Sequence, residues 1–299
     1  ALSEETIPLS QALGRVCSTE LFGTTPIPPF DNSSMDGYAL ASVRALGASS
    51  APVTLPVLGT ILAGDPPRRN AEPGVWKIMT GAPIPAGCDA VIPIEQTREL
   101  DGGRAVEILH TPNEGDFIRS VGHDFGAGAQ VCPAGTRLTP RHLMALAAVG
   151  LASVPVRRKP RVALIATGRE LSAPGKPLVP GQIHDASSSY LAAECERLGC
   201  HFDFQGIIAD DAAAFSSRLE RLLAEGFDII LTTGAVSMGD MDFIPATLKD
   251  MGAKIIFHKV AIKPGRPILF AEFPAGPFIF GLPGNPISSV VGMRFFVQP

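Results

Sequence analysis

The chain has 299 residues, a net charge of −4 and an apolar fraction of 45%, which suits a folded protein of about two domains. Its charges are mixed without a block of one sign, which argues against a nucleic-acid partner. The five cysteines form no CxxC pair, so we expect reduced thiols and no structural zinc. We expect no signal peptide and no membrane partner, because the longest apolar run, 143–156, is too short to span a bilayer. Together these properties predict a cytoplasmic protein.

The first half of the chain predicts a small all-β unit between less regular segments. Residues 7–21 have the pattern of a strand followed by a short helix, and residues 26–30 favour a stiff extended link. From Ala39 to His110, short apolar pieces alternate with Gly and Pro, and no amphipathic helix of useful length is present. A helix is predicted to begin at Thr139–Pro140 and to end at Gly150. The predicted strands are 53–61, 74–79, 90–94 and 105–109.

A change of composition separates the two halves of the chain. Residues 154–160 contain two prolines and three consecutive basic residues, and this composition predicts a linker. We interpret the basic residues Arg157, Arg158 and Lys159 as a solvated hinge, in preference to a phosphate-binding patch.

Strands and helices alternate after residue 161, which predicts parallel strand pairing with right-handed crossovers. The run 229–231 has no polar alternation, so helices should cover both faces of that strand. A late hairpin is expected at residues 273–277. The predicted strands are 162–166, 202–208, 229–231, 254–258, 267–270 and 278–280, and the predicted helices are 187–198, 212–225, 243–251 and one from 287.

Glycine turns and carboxylates follow the ends of several predicted strands. The strand at 229–231 stops at Gly234 and leads through a Gly/Ser loop to a helix, which places backbone N–H groups where an anion can bind. Asp240 and Asp242 follow directly, and carboxylates beside an anion site favour a bridging Mg²⁺ ion. Ligands of such sheets bind beyond the carboxyl ends of the strands. The same edge is predicted to carry Thr167, Gly168, Glu170, Asp210, residues 281–286 and Ser288.

Each of these features also has a simpler interpretation. A glycine turn after a strand is common turn chemistry, and Asp210, Asp211 or Asp242 are possible helix caps. Lys263 and Arg266 flank a Pro-Gly turn, where they are either ordinary surface charges or a cationic corner that binds a dianion. Recurrence at one sheet edge favours a metal-bridged phosphate site. We interpret four histidines as packing or surface residues: His110, His142, His201 and His258.

With these residues in view, the chain resembles the molybdopterin molybdenumtransferase family, which comprises the MoeA proteins and the gephyrin E domain. Seven stretches carry the resemblance, and they follow one another in the family's order over nearly the whole chain. They are 29–38 (PFDNSSMDGY), 78–85 (IMTGAPIP), 119–124 (RSVGHD), 167–171 (TGREL), 234–242 (GAVSMGDMD), 263–267 (KPGRP) and 282–286 (LPGNP).

The resemblance implies an α/β, multi-domain fold. Its parts are a MogA-like three-layer parallel-sheet domain, a small mostly-β domain and an elongated linking domain. Residues 1–30 and 111–158 would form the linking domain, 31–110 the small β domain and 159–299 the molybdopterin-binding domain. The resemblance also implies a homodimer with a cleft shared between subunits. Family members continue into a further small β domain, which we expect to be lacking here.

The implied function is a step of molybdenum cofactor biosynthesis. Molybdenum from molybdate is inserted into adenylylated molybdopterin, and AMP is released. Mg²⁺ is the implied cofactor, with the catalytic carboxylates Asp210 and Asp242 as its ligands. Lys263, Arg266 and Ser288 are the implied molybdate contacts. The further residues implied are Asp36, Asp124 and Glu170 as catalytic carboxylates and Thr80, Gly168, Gly234, Ser237, Gly239, Gly284 and Asn285 at the pterin nucleotide.

Three departures from the family pattern stand out in the second half. Ala235 replaces the usual glycine and would be strained at a positive φ. The stretch 185–187 reads Asp-Ala-Ser in place of Asp-Ser-Asn, and Arg266 replaces the commoner lysine. The alternative prediction is a non-catalytic pterin-binding protein or a gephyrin-like dimeric scaffold, which has no need of the retained carboxylates and lysine.

Overall fold

The computed structural model describes residues 2–70, 72–236, 243–274 and 276–299. Contacts within the chain divide it into two compact units, Thr6–Val156 and Arg157–Pro299 with Ala1–Glu5. The three-part division implied by the family resemblance stays a prediction. Among the described helices, none has the length and apolar character needed to cross a membrane.

The first half of the chain is built from short strands. Half of them belong to a six-stranded sheet that is antiparallel except for one parallel pair. The strands are β1 (Glu4–Pro8), β2 (Leu21–Phe22), β3 (Asn32–Ser33), β4 (Gly37–Leu40), β5 (Val53–Ile61), β6 (Val75–Ile78), β7 (Ala90–Pro93), β8 (Thr97–Leu100), β9 (Ala105–Ile108), β10 (Ile118–Arg119), β11 (Gln130–Cys132) and β12 (Ser153–Arg157).

The six-stranded sheet has the order β7-β4-β6-β5-β9-β8, and only β5 and β6 run parallel. All four residues of β4 are buried, and Tyr38 and Leu40 pack in the apolar cluster that covers one face. The one α-helix of the described part of this unit, α1 (Pro140–Ala148), begins where the sequence predicts. His142, expected only to pack or to lie at the surface, caps this helix: its Nδ1 atom accepts the Thr139 N–H at 3.1 Å.

Two sequence predictions for this half were only partly correct. The short helix predicted within residues 7–21 is a single 3₁₀ turn, Leu9–Gln11, since Gly14 soon takes a left-handed conformation that does not continue a helix. The boundary between the two units does fall within the predicted linker at 154–160, but its first four residues belong to strand β12, because Val154 and Val156 alternate into the core and are fully buried.

The C-terminal unit contains one large mixed sheet with helices on both faces. Its elements are β13 (Arg161–Thr167), β14 (Leu171–Ser172), β15 (Ile183–His184), α2 (Ala186–Arg197), β16 (His201–Ile208), α3 (Ala212–Glu225), β17 (Ile229–Thr233), α4 (Ile244–Asp250), β18 (Lys254–His258), β19 (Leu269–Glu272), β20 (Phe278–Leu282), α5 (Pro286–Gly292) and a π-helical turn at Met293–Val297.

The sheet order is β16-β13-β17-β20-β19-β18, and the first four strands are parallel, as predicted. β19 pairs antiparallel with both neighbours, so it alone of these six strands runs against the others. The hairpin expected at 273–277 joins β19 to β20. Five strands therefore end at the same edge, and the segment between β18 and β19 also lies there.

Helices cover both faces of this sheet, so that helices, sheet and helices form three layers. On one face, Ala163 and Ile165 of β13 pack with Phe215 of α3 and Leu248 of α4. On the other face, Val162 and Leu164 of the same strand pack with α2 and with Met293. This alternation within β13 explains its continuous apolar sequence, because both of its faces are covered.

Arg158 is a partner of Asp228 and not part of a solvated hinge, which corrects the interpretation of the basic triplet. Its two terminal nitrogens donate to both carboxylate oxygens at 2.6 Å, and the Arg161 N–H donates to the same group at 2.7 Å. Burial alone would raise the pKa of Asp228, but these hydrogen bonds from Arg158 and Arg161 lower it below the ordinary value. The two partners are 70 positions apart, a separation that no local pattern reveals.

Asp228→Asn is expected to lower the free energy of unfolding by about 2 kcal/mol at pH 7, because Arg158 loses its charged partner. The folded pKa of Asp228 lies below the unfolded one, so its stabilisation is present above the unfolded pKa and is lost as pH falls through the folded pKa. Urea unfolding at several pH values should therefore show the difference from the parent chain shrinking below about pH 4. A difference that stays constant down to pH 2 would contradict this assignment. The control Glu225→Gln breaks an exposed pair with Arg221 and should cost at most about 0.5 kcal/mol.

Candidate functional site

A cavity of about 270 Å³ lies at the carboxyl ends of the parallel strands in the C-terminal unit. It brings together five predicted site residues that are far apart in sequence, namely Gly168, Glu170, Asp210, Gly234 and Gly284. They follow β13, β16, β17 and β20, so the strand ends converge as predicted. The complete lining is Thr167, Gly168, Glu170, Asp210, Gly234, Ala235, Val236, Pro267, Pro283 and Gly284.

Three of the lining residues are glycines, and close backbone packing explains one of them, Gly234. A Cβ atom on Gly234 would lie 2.5 Å from the Thr167 carbonyl oxygen, and its φ of 84° is left-handed. A Cβ on Gly284 would lie 3.6 Å from the Cα of Gly234, an ordinary van der Waals contact, so the two turns are neighbours but packing does not require glycine at 284. The cleft floor therefore exposes peptide groups that a phosphate oxygen can approach closely.

Two hydroxyl groups hold these turns: that of Thr167, which was predicted at this edge, and that of Ser289, which was not. The Thr167 Oγ1 donates to the Thr233 carbonyl at 2.9 Å, just before Gly234. The Ser289 Oγ donates to the Pro283 carbonyl at 2.5 Å, just before Gly284. A hydroxyl residue beside each glycine turn was the available sequence signal. Each hydroxyl fixes the peptide that precedes a glycine of the cleft.

The structure distinguishes the roles of Asp210 and Asp211. The Asp211 carboxylate caps α3, because it accepts the N–H groups of Ala213 and Ala214 at 2.8 and 3.2 Å. The Asp210 carboxylate lines the cavity, and its recorded partner is the Arg169 N–H at a long 3.4 Å. Asp210 therefore keeps acceptor capacity for a ligand.

Asp210 and Glu170 are the two carboxylates that line the cavity in the described part of the chain. Within residues 2–70, 72–236, 243–274 and 276–299 no group of three or more metal-ligating side chains is found. Two carboxylates in one cleft do fit Mg²⁺, which uses one or two of them together with phosphate oxygens and water. The predicted residues Ser237, Gly239, Asp240 and Asp242 lie outside the described residues.

The turn that carries Lys263 and Arg266 lies at the same edge, between β18 and β19. It is closed by the Val260 N–H, which donates to the Arg266 carbonyl at 2.9 Å. Gly265 is buried with a φ of 105°, and a Cβ there would lie 3.3 Å from Val291 of α5. Lys263 and Arg266 are both exposed, and neither has an ion pair recorded with a described residue. The next residue, Pro267, lines the cavity.

Asn285 and Ser288 belong to the start of α5. The side-chain oxygen of Asn285 accepts the N–H groups of Ile287 and Ser288 at 3.0 and 3.3 Å, so it caps this helix. This leaves the side-chain amide NH₂ of Asn285 available for a ligand. Ser288 is 7% exposed.

In the N-terminal unit, hydrogen bonds join the three segments that contain the predicted site residues Asp36, Thr80 and Asp124. The Asp36 carboxylate accepts the N–H of Thr80 at 2.7 Å and its hydroxyl at 2.8 Å. These two bonds, the backbone one first, lower the pKa of Asp36 and keep it ionised. Asp124 pairs with Arg119 at 2.5 Å. Ser33 links the stretches, because it bonds to the loop at 81–82 and its strand pairs with β10.

Comparison with known proteins decides the family. The model of the MoeA N-terminal region (domain I and II) matches residues 1–150, and the model described as "Probable molybdopterin binding domain" matches residues 163–299. The molybdopterin molybdenumtransferase of Synechococcus elongatus is 41% identical over 304 residues, which cover 100% of this chain and 75% of the relative. This chain belongs to the molybdopterin molybdenumtransferase family.

Other members of the family give the same result. The molybdopterin molybdenumtransferase of a Nostoc strain is 38% identical over 99% of this chain and 68% of its own length. The crystal structure of the molybdopterin biosynthesis MoeA protein from Pyrococcus horikoshii OT3 matches with a TM-score of 0.83 and 30% identity, over 99% of this chain and 73% of that one. The family match confirms the predicted α/β, multi-domain fold.

Ala235 stands where the family resemblance led us to expect glycine in this molybdenumtransferase family member. Its φ is 51°, so it has the left-handed conformation that the sequence analysis marked as strained for alanine. Its carbonyl accepts the Ile244 N–H at 3.3 Å, which ties it to the start of α4. The packing around the turn therefore maintains a conformation that glycine adopts at lower cost.

Ala235→Gly is expected to raise the free energy of unfolding by about 0.5 to 1 kcal/mol. Relief of the left-handed strain, about 1 to 2 kcal/mol, outweighs the extra freedom of glycine in the unfolded chain. Urea unfolding measures the change, and the matched control is Ala193→Gly on the exposed face of α2. That control should instead lose about 1 kcal/mol. Equal losses in both variants would show that Ala235 is not strained.

Proposed function

We propose that this chain is a molybdopterin molybdotransferase of molybdenum cofactor biosynthesis. It transfers molybdenum from molybdate into adenylylated molybdopterin, and AMP leaves. The observation that carries the proposal is the strand-end cavity, which is lined by three glycine turns and two carboxylates. The turn that carries Lys263 and Arg266, called the cationic turn below, lies at the same edge of the sheet. The names of relatives that are 36% to 41% identical, all molybdopterin molybdenumtransferases, support the same activity.

The glycine turns are proposed to bind the pterin nucleotide. Gly168, Gly234 and Gly284 line the cavity and have no side chains of their own, so their peptide groups suit phosphate oxygens. Asn285 would donate its free amide NH₂ to the same ligand. Ser237 and Gly239 are proposed on the family motif alone.

Mg²⁺ is proposed as the cofactor, held by Asp210 and Asp242 with Glu170 nearby as a further catalytic carboxylate. When bound, the ion would neutralise charge on the phosphate oxygens of the nucleotide. The open acceptor capacity of Asp210 supports this role, since its neighbour Asp211 supplies the helix cap.

Lys263, Arg266 and Ser288 are proposed to bind molybdate. Two exposed cations without recorded partners among the described residues suit a dianion, and the guanidinium of Arg266 adds two parallel donors. Gly265 holds their turn against α5, the helix that carries Ser288.

A homodimer is proposed in which Asp36, Thr80 and Asp124 of one subunit complete the cleft of the other. The ionised, exposed carboxylate of Asp36 supports a role in binding a ligand or metal, since its recorded partners are the uncharged donors of Thr80. Light scattering on the purified chain tests the assembly, and the mass of a single chain at micromolar concentration would contradict it.

The cytoplasm is the proposed location. All five cysteines are free, and burial raises the pKa of Cys88 to about 11 and of Cys195 to about 12, which keeps these thiols protonated. Such thiols persist in a reducing compartment. Cell fractionation tests the location, and recovery in an extracellular fraction would contradict it.

The deciding experiment loads the protein with adenylylated molybdopterin, adds Mg²⁺ and molybdate, and follows AMP by chromatography. We expect AMP release that depends on molybdate. Intact pterin binding without molybdate-dependent release would instead support the non-catalytic scaffold, which the relatives' names and the retained Asp210, Glu170 and Lys263 do not favour.

A further inference from the structure

We propose that His258 is a positioning residue that holds the nucleotide-binding and molybdate-binding parts of the cleft in register, an inference that rests on the function proposed above. Its Nε2 atom lies 2.7 Å from the carbonyl oxygen of Val236. A carbonyl oxygen only accepts, so Nε2 carries the proton and donates. The sequence analysis interpreted this histidine as a packing or surface residue, and its hydrogen bond across 22 positions was not visible there.

The accepting carbonyl belongs to Val236, in the segment that follows β17. Val236 is 2% exposed and lines the cavity, and its Cγ1 atom would lie 2.7 Å from a Cβ on Gly281 of β20. The preceding carbonyl, that of Ala235, accepts the Ile244 N–H. Both peptide carbonyls at the loop base are therefore fixed, one by α4 and the other by His258.

The donating residue, His258, lies directly before the segment that forms the cationic turn. His258 is the last residue of β18 and pairs with Leu269 of β19. Directly after it, the Lys259 N–H donates to the Ile268 carbonyl at 2.8 Å, where the turn closes. The turn that carries Lys263 and Arg266 therefore starts from the residue whose imidazole holds Val236.

One side chain thus connects two segments that the proposed reaction must bring together. A nucleotide bound at Gly234 and an anion bound at Lys263 react only when their separation is controlled to a fraction of an ångström. β18 is separated from β17 by β20 and β19 in the sheet, so no backbone ladder joins the two segments directly. The His258–Val236 hydrogen bond provides this link.

Hydrogen–deuterium exchange measured by mass spectrometry tests the link without any turnover. His258→Phe keeps a ring of similar size but deletes the N–H, whereas His258→Gln supplies an amide N–H at a similar reach. In the phenylalanine variant we expect exchange to become about tenfold faster in both peptides 233–245 and 259–268. In the glutamine variant both should return to within about threefold of the parent chain.

The control His201→Phe makes the same change at an exposed site on β16 and should leave both peptides unchanged. Faster exchange in only one of the two peptides, or in neither, would overturn the proposal. Equal effects of the phenylalanine and glutamine variants would overturn it too, because the hydrogen bond would then not be the cause. Should His258→Phe not fold, His258→Leu takes its place in the same comparison.

An activity measurement then separates this proposal from the proposed function. If the parent chain releases AMP, His258→Phe should raise the molybdate concentration for half-maximal release about tenfold, and His258→Gln should restore it to within about threefold. An unchanged molybdate dependence in His258→Phe would overturn the positioning role. If the parent chain releases no AMP, the proposed function fails, while the exchange comparison still decides whether His258 couples the two segments.

Discussion

Asp210→Asn is expected to reduce molybdate-dependent AMP release by about a hundredfold or more, while the protein stays folded. Asparagine keeps the size of the side chain but removes the charge that a divalent cation requires. Removal of one charged group that stabilises a transition state commonly costs a hundredfold to a thousandfold in rate. The fold should be preserved, because the recorded bond of this carboxylate is a long one to the Arg169 N–H. Single-turnover experiments measure the rate of AMP release, and urea unfolding measures the stability of the fold.

The adjacent residue provides the matched control. Asp211→Ala removes the cap of α3 and should lose about 1 kcal/mol of stability, with AMP release within about twofold of the parent chain. The two variants should therefore show opposite patterns: one loses turnover and the other loses stability. If Asp210→Asn released AMP at the rate of the parent chain, the proposal that this carboxylate binds the metal ion would be contradicted.

Lys263→Ala is expected to raise the molybdate concentration for half-maximal AMP release by about tenfold to a hundredfold. A hydrogen bond to a charged group contributes about 1.5 to 3 kcal/mol, and each 1.4 kcal/mol changes an equilibrium tenfold. Affinity for adenylylated molybdopterin alone should be unchanged, because the glycine turns are the proposed binding site of that substrate. Since Lys263 is exposed, the effect should decrease at high salt.

Lys254→Ala removes the same charge at the other end of β18 and serves as the control. Lys254 pairs with Glu272 at 3.4 Å and is 74% exposed, so its loss should leave the molybdate dependence unchanged. Equal shifts in the two lysine variants would indicate a general charge effect. No shift in Lys263→Ala would show that the cationic turn binds something else.

Much of the C-terminal unit was predictable, because its strands are apolar runs bounded by glycine. The strand at 229–231 and the capped helix at 212–225 are present with nearly the predicted bounds. Their order implied that the strand ends share one edge, which brought Gly168, Asp210 and Gly234 together. The convergence of these residues, though not their roles, was thus predicted at the level of the sheet edge.

What escaped prediction depends on contacts between residues distant in the sequence. Either Asp210 or Asp211 could have capped α3 on sequence grounds, and only the local geometry shows that Asp211 does. The Arg158–Asp228 pair and the His258–Val236 bond join segments that share no motif. Prolines at 155 and 160 obscured the alternating pattern of β12, so a buried strand was interpreted as a linker.

The most direct test of the account is a crystal structure of the chain with adenylylated molybdopterin and Mg²⁺. We predict the phosphoanhydride at the strand-end cavity, against the turns at Gly168, Gly234 and Gly284, with the metal ion on Asp210. A second cavity of about 560 Å³, lined by Asp228 and Phe278 at the starts of β17 and β20, offers the alternative position. Ligand density there, with none at the glycine turns, would contradict the account.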